Sequence, residues 1–195
     1  MQRRLMRLYG LPHDLPDVTP FVRPCGDRER VLVRQHDDEL ELSVELPRRV
    51  LDGEVSGVDD FCQVVEGVSH FVLIVERARR RLATSQLELE LQAELDKFLL
   101  LAGLDLAPAT RRRFVWSHRR VFGDAVFRHP EGTERGDRYR LAHRLAARWC
   151  WRLGRTHLAP PAAARRSPAR GVSVGALRAF YHAGPSAKVA HAEAA

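Results

Sequence analysis

The segment that most restricts the fold is 30–47, "RVLVRQHDDELELSVELP". With Asp37-Asp38 as a two-residue hairpin loop, Val31 faces Val44, Val33 faces Leu42 and Gln35 faces Leu40. On the other face Arg34 meets Glu41 and Arg30 meets Glu45. One register thus yields an apolar face and two opposite-charge pairs together, and a slip of one residue destroys both. Asp-Asp is a weaker turn signal than Asn-Gly, but Asp tolerates a left-handed φ, and Pro47 closes the second strand. A single hairpin is marginal in water, so its apolar face must lie on other elements.

The rest of the chain offers helices. In "VDDFCQVVEGVSHFVLIVERARRRL", Phe61, Val64, Val65, Val68, Phe71, Val72, Val75 and Leu82 form one broad stripe at helical spacing. Ser85 and Glu88 then make a capping box that opens a second helix, expected over 84–102. Within it "LELELQAEL" alternates like a strand, but Leu, Glu, Gln and Ala prefer helix, and no β-branched residue occurs from 87 to 102. Its core face is Leu87, Leu91, Leu95, Phe98 and Ala102. A third helix carries Phe114, Val121 and Phe122 inward, and a fourth carries Ala142, Leu145, Trp149 and Leu153. The expected fold is mainly α (α+β), a helical bundle of about four helices with an N-terminal β-hairpin.

Proline at 12, 16, 20 and 24 forbids helix, so 10–26 reads as an extended arm or loop on the core. The expected organisation is one helical domain over 1–158 containing that arm and the hairpin at 30–46, a Pro-rich linker at 159–170, and a C-terminal tail at 171–195. The tail holds a short helix capped by Ser173 and stopped by Gly184-Pro185. Cys25, Cys62 and Cys150 are odd in number and unpaired in spacing, which fits a reducing compartment. The longest apolar run, "VVEGVSHFVLIV", is short and carries Glu66 and His70, so no membrane span and a cytoplasmic location are expected.

Glu94 falls inside the apolar stripe of the second helix. A carboxylate there is paired, protonated or ligating, because an unpaired buried charge is too costly. The plain alternative is an ion pair with a neighbouring Arg, or an edge position reaching water. On the first helix Glu66 and His70 stand at i,i+4, where they can share a proton or a metal ion. Di-metal bundles use Glu-x-x-His in pairs; this spacing is Glu-x-x-x-His without a second copy, so a hydrogen-bonded structural pair and no metal site are expected. His118, between Phe114 and Phe122, reads as a satisfied core residue and stays a lesser candidate for chemistry. His143, Cys150 and His157 are spaced by seven, but His157 is expected beyond the helix and no further ligand joins them, so no zinc site is expected. Phosphate-loop, nucleophile-elbow and paired-Cys motifs do not occur, and no cofactor can be named.

Charge distribution says more. The formal charge is +7, and apart from Lys97 and Lys188 every side-chain ammonium or guanidinium is Arg. That reads either as codon bias in a high-GC bacterial genome or as a surface for phosphates and carboxylates. Arg111, Arg112, Arg113, Arg119 and Arg120 lie in an acid-free stretch beside Phe114 and Trp116. Arg140, Arg144, Arg148 and Arg152 follow one another at i,i+4, where like charges repel unless an anion supplies the missing charge. The arginines can instead pair with the acidic hairpin face or the Glu-rich second helix.

Two function classes follow. The first is a non-catalytic cytoplasmic protein binding an anionic partner (a phosphate-bearing ligand, nucleic acid or an acidic protein) through Arg111, Arg112, Arg119, Arg140, Arg144, Arg148 and Arg152. The alternative is an enzyme with an acid/base or metal site inside the bundle, gathering Glu66, His70 and Glu94, with His118 as a lesser candidate. An open pocket joining Glu66, His70 and Glu94 favours the enzyme; a filled core with a convex Arg face favours binding. Neither class fixes an oligomeric state.

Overall fold

The computed structural model describes residues 1–37, 39–54, 56–104, 110–157 and 174–194. The loop residue Asp38, the linker at 159–170 and the cap at Ser173 lie outside them.

The hairpin forms in the expected register. Strand β2 (Arg30–His36) pairs antiparallel with β3 (Glu39–Pro47), setting Val31 opposite Val44 and Val33 opposite Leu42. Arg30 hydrogen-bonds Glu45, and Arg34 lies 3.7 Å from Glu41. Asp37 takes φ 50°, the left-handed conformation that Asp accepts at a turn. The hairpin is not alone, however. Within the Pro-rich arm, β1 (Val22–Cys25) adds a third strand parallel to β3, giving the order β1-β3-β2. Pro24 is tolerated there because β1 is an edge strand, where a missing N–H breaks no ladder.

The molecule is mainly helical beside this small sheet, and the expected count of about four helices is corrected to eight α-helices among the described residues. They are α1 (Gln2–Tyr9), α2 (Arg48–Leu51), α3 (Val58–Arg79), α4 (Gln86–Ala102), α5 (Arg111–His118), α6 (Glu134–His157), α7 (Val174–His182) and α8 (Pro185–Glu193). The bundle reading omits α1, whose Leu5, Met6, Leu8 and Tyr9 bury one side of two short turns, and α8, which starts at the proline expected to end the chain's last helix. Pro185 is suited to that place, since the first turn of a helix needs no N–H from it. Leu82 is no part of the core stripe: α3 ends at Arg79, and Leu82 is exposed.

Helix α4 starts as its capping box requires, with Ser85 Oγ accepting from the Glu88 N–H at 3.1 Å. It ends at Gly103, whose φ of 72° suits a residue without Cβ. This helix is central, packed on α3 and α6, with α5 and α8 closing it. The sheet lies on α3 at Gly67, where an added Cβ would stand 2.9 Å from Val44 Cγ1. Val44 and Leu46 are therefore the buried end of the apolar sheet face, while Val33 near the hairpin tip is exposed. After α5 the chain continues as one π-helical turn, Arg119–Gly123, and α6 runs on to include His157.

Candidate active site

Helices α3, α4 and α6, the segment between β1 and β2, and the loop after the π turn enclose a cavity of about 450 Å³. Glu66 stands on α3, Glu94 and Lys97 on α4, and Tyr139 and His143 on α6. Spacing brings them together: Glu94 and Lys97 are three apart on one helix, Tyr139 and His143 four apart on another, so each pair shares a face.

Lys97 is the centre of the group. Its Nζ lies 2.5 Å from Glu66 Oε2 and 2.7 Å from Glu94 Oε1. The other oxygen of Glu94 is 2.8 Å from His143 Nδ1, and His143 Nε2 is 3.1 Å from the Phe122 carbonyl. Phe122 sits in the π turn, where a widened helix end leaves carbonyls seeking partners outside it. Burial pushes the Glu94 carboxyl up, but the Lys97 ammonium and His143 outweigh it and hold the group near 2. Burial opposes the Lys97 charge too, yet Glu66 and Glu94 raise its pKa well above the ordinary lysine value.

Two further carboxyls are shifted the opposite way. Burial, followed by repulsion from Glu66, pushes Glu29 up to about 8. The same two causes push Glu90 up to about 7. Burial likewise raises the Cys62 thiol to about 11, so it is no activated nucleophile. Adjacent to this group, one donor atom from each of Glu66, His70 and Glu90 lies within 4.8 Å of the others.

The structure thus places Glu66, His70 and Glu94 in one neighbourhood. Glu94 is paired with Lys97 and His143 rather than with an Arg. Glu66 is tied to Lys97, so it does not form a closed pair with His70. His118 stands apart, its Nε2 3.1 Å from the Ala147 carbonyl and its ring packed by Phe114, Phe122 and Trp151. Cys150 is buried, away from the cavity lining.

The arginines divide. Arg140 donates to the carbonyls of His129 and Gly136 and covers the Phe127 ring. Arg152 donates to the carbonyls of Ala194 and His191 at the end of α8, and Arg119 lies 3.8 Å from Asp124. Arg111, Arg112, Arg144 and Arg148 are exposed and make no hydrogen bond or ion pair with a described residue.

Lys97, Glu90, Glu29 and Tyr139 belong to the site without having been singled out by spacing. One signal for Lys97 was present: in a chain that meets nearly every need for a cation with Arg, a lysine in an apolar stripe marks a compact charge under restriction.

Fold and site together define a mainly helical protein with a small sheet and a buried ionic cavity among its long helices. No protein-family model, curated protein or solved structure matches the chain. No helix among the described residues is long and apolar enough to cross a membrane.

Proposed function

We propose that the chain is an enzyme acting on a small polar molecule, with the cavity between α3, α4 and α6 as its active site. The observation that carries this is the largely buried series Glu66–Lys97–Glu94–His143 along the wall of an open cavity. Such charges are a poor way to hold helices together, because apolar residues of the same volume do so at least as well. Fixed charges facing a cavity are what acid–base and electrostatic catalysis require. In this reading Lys97 holds Glu66 and Glu94 in place, His143 fixes the second oxygen of Glu94, and Arg128 and Arg135 at the mouth offer donors to an anionic group of the substrate.

A fragment screen of the intact chain by NMR tests it. Carboxylate- or phosphate-bearing fragments should shift the Lys97 and His143 signals, and Arg128→Gln with Arg135→Gln, both at exposed positions, should weaken them without unfolding. Fragments that ignore the cavity and collect at Arg144 and Arg148 overturn the reading. An anionic macromolecular partner stands as a second reading on one observation, the exposure of Arg111, Arg112, Arg144 and Arg148 without described partners.

A further inference from the structure

We propose that Glu66, His70 and Glu90 form a binding site for a divalent transition-metal ion of the Mn²⁺, Fe²⁺ or Zn²⁺ kind. Glu66 and His70 stand one turn apart on α3, and Glu90 faces them from α4. Their donor atoms lie within 4.8 Å of one another. Donors about 2.1 Å from a tetrahedral ion are roughly 3.4 Å apart, so rotamer changes of about an ångström close the site.

His70 is the independent sign that something is meant to sit there. The residue is 7% exposed, and its Nε2 is buried without a hydrogen-bond partner. The Glu90 carboxylate, at 3.9 Å, is too far to serve as one. A buried ring nitrogen left unpaired is costly, and native structures seldom keep one without a use.

Charge points the same way. Glu66 and Glu94 share the Lys97 ammonium, and among the described residues no lysine or arginine pairs with Glu90. A divalent cation between Glu66 and Glu90 supplies the charge that this side of the group lacks. One imidazole with two carboxylates suits first-row divalent ions better than Ca²⁺ or Mg²⁺, which take oxygen alone. Lys97 occupies one oxygen of Glu66 and leaves the second for the ion. Because Glu66 also lines the cavity, an ion on three protein ligands keeps a coordination position toward it, as catalytic sites do. The site stands independently of the catalytic reading above.

Titration of the untagged, chelator-treated chain with Co²⁺, followed by Zn²⁺ competition, tests the proposal. Visible d–d bands should saturate at one ion per chain. His70→Ala and Glu90→Gln should each weaken binding by about a hundredfold, at the upper end of what even outer partners of ligands contribute. His118→Ala, which removes a histidine outside the site, should leave it unchanged. Circular dichroism shows whether each variant is folded, and Glu90→Gln, nearly isosteric, keeps the test open if His70→Ala is not. Absence of the bands, or equal Co²⁺ affinity in folded Glu90→Gln and the natural chain, overturns the site.

Discussion

Lys97 and Lys188 are the only lysines of the chain, and both are buried while arginines carry the surface. An ammonium is a compact charge on a flexible stem with rotatable donors, and that of Lys97 reaches carboxylates on two helices. Lys97→Met deprives Glu66 of the one cation paired with it among the described residues and Glu94 of one of its two hydrogen-bonding partners. It should destabilise the fold by about 3–5 kcal/mol, the cost of leaving a buried charge uncompensated. Adding Glu66→Gln should return part of that loss, and a double-mutant cycle in denaturant measures the coupling. If the double variant is no more stable than Lys97→Met, Glu66 is solvated rather than held by Lys97. This residue logic was only partly legible in the sequence. Glu94 stood out as a carboxylate among leucines and Glu66 with His70 as a helical pair. Glu90 did not, because one helix period cannot say which carboxylate of α4 will meet His70 across the interface.

At the element scale the hairpin was the most legible part, because cross-strand charges and apolar residues agree on a single register. Strand β1 was illegible for the opposite reason: its Pro24 argues against a ladder, and only its place at the edge of the sheet admits it. The π turn was equally hidden, since nothing local distinguishes Arg119–Gly123 from ordinary helix. Its effect is to turn the Phe122 carbonyl toward His143. The contact between α5 and α6 rests on another unmarked residue, Gly154. An added Cβ there would stand 2.2 Å from Phe114 Cζ, and Phe114 is itself buried and packed edge-on against Phe98. Alanine gains up to about 1 kcal/mol in helix propensity. The clash, at about 1–3 kcal/mol, costs more, so Gly154→Ala should destabilise by up to about 2 kcal/mol net. Thermal unfolding checks this, and a raised melting temperature refutes the packing described for Phe114.

At the scale of the whole molecule the exposed Arg face and the C-terminal helices answer different tests. Arg144→Gln with Arg148→Gln removes two exposed like charges one turn apart, so stability should stay within about 0.5 kcal/mol. If a polyanion binds that face, its affinity for the variant should fall and its salt dependence should flatten. A loss of several kcal/mol would instead make those arginines internal partners. Helices α7 and α8 are held from inside. Lys188 Nζ lies 2.9 Å from a Glu88 oxygen, which also takes Arg77 at 2.6 Å, and Arg77 reaches on to the Ala183 carbonyl. Burial drives the Lys188 pKa down from the ordinary 10.5 to about 8 although Glu88 opposes it. Since the folded value is below the unfolded one, between pH 8 and 10.5 the unfolded chain binds a proton that the folded chain has released, and stability rises with pH. Lys188→Met lacks this contribution. Relative to that variant, the natural chain should gain up to about 3 kcal/mol on crossing the window. Buried Tyr9 and Tyr181, whose pKa values burial raises, act in both proteins and cancel in the difference. Denaturant unfolding of the two across the window decides: parallel stabilities would mean that Lys188 meets water.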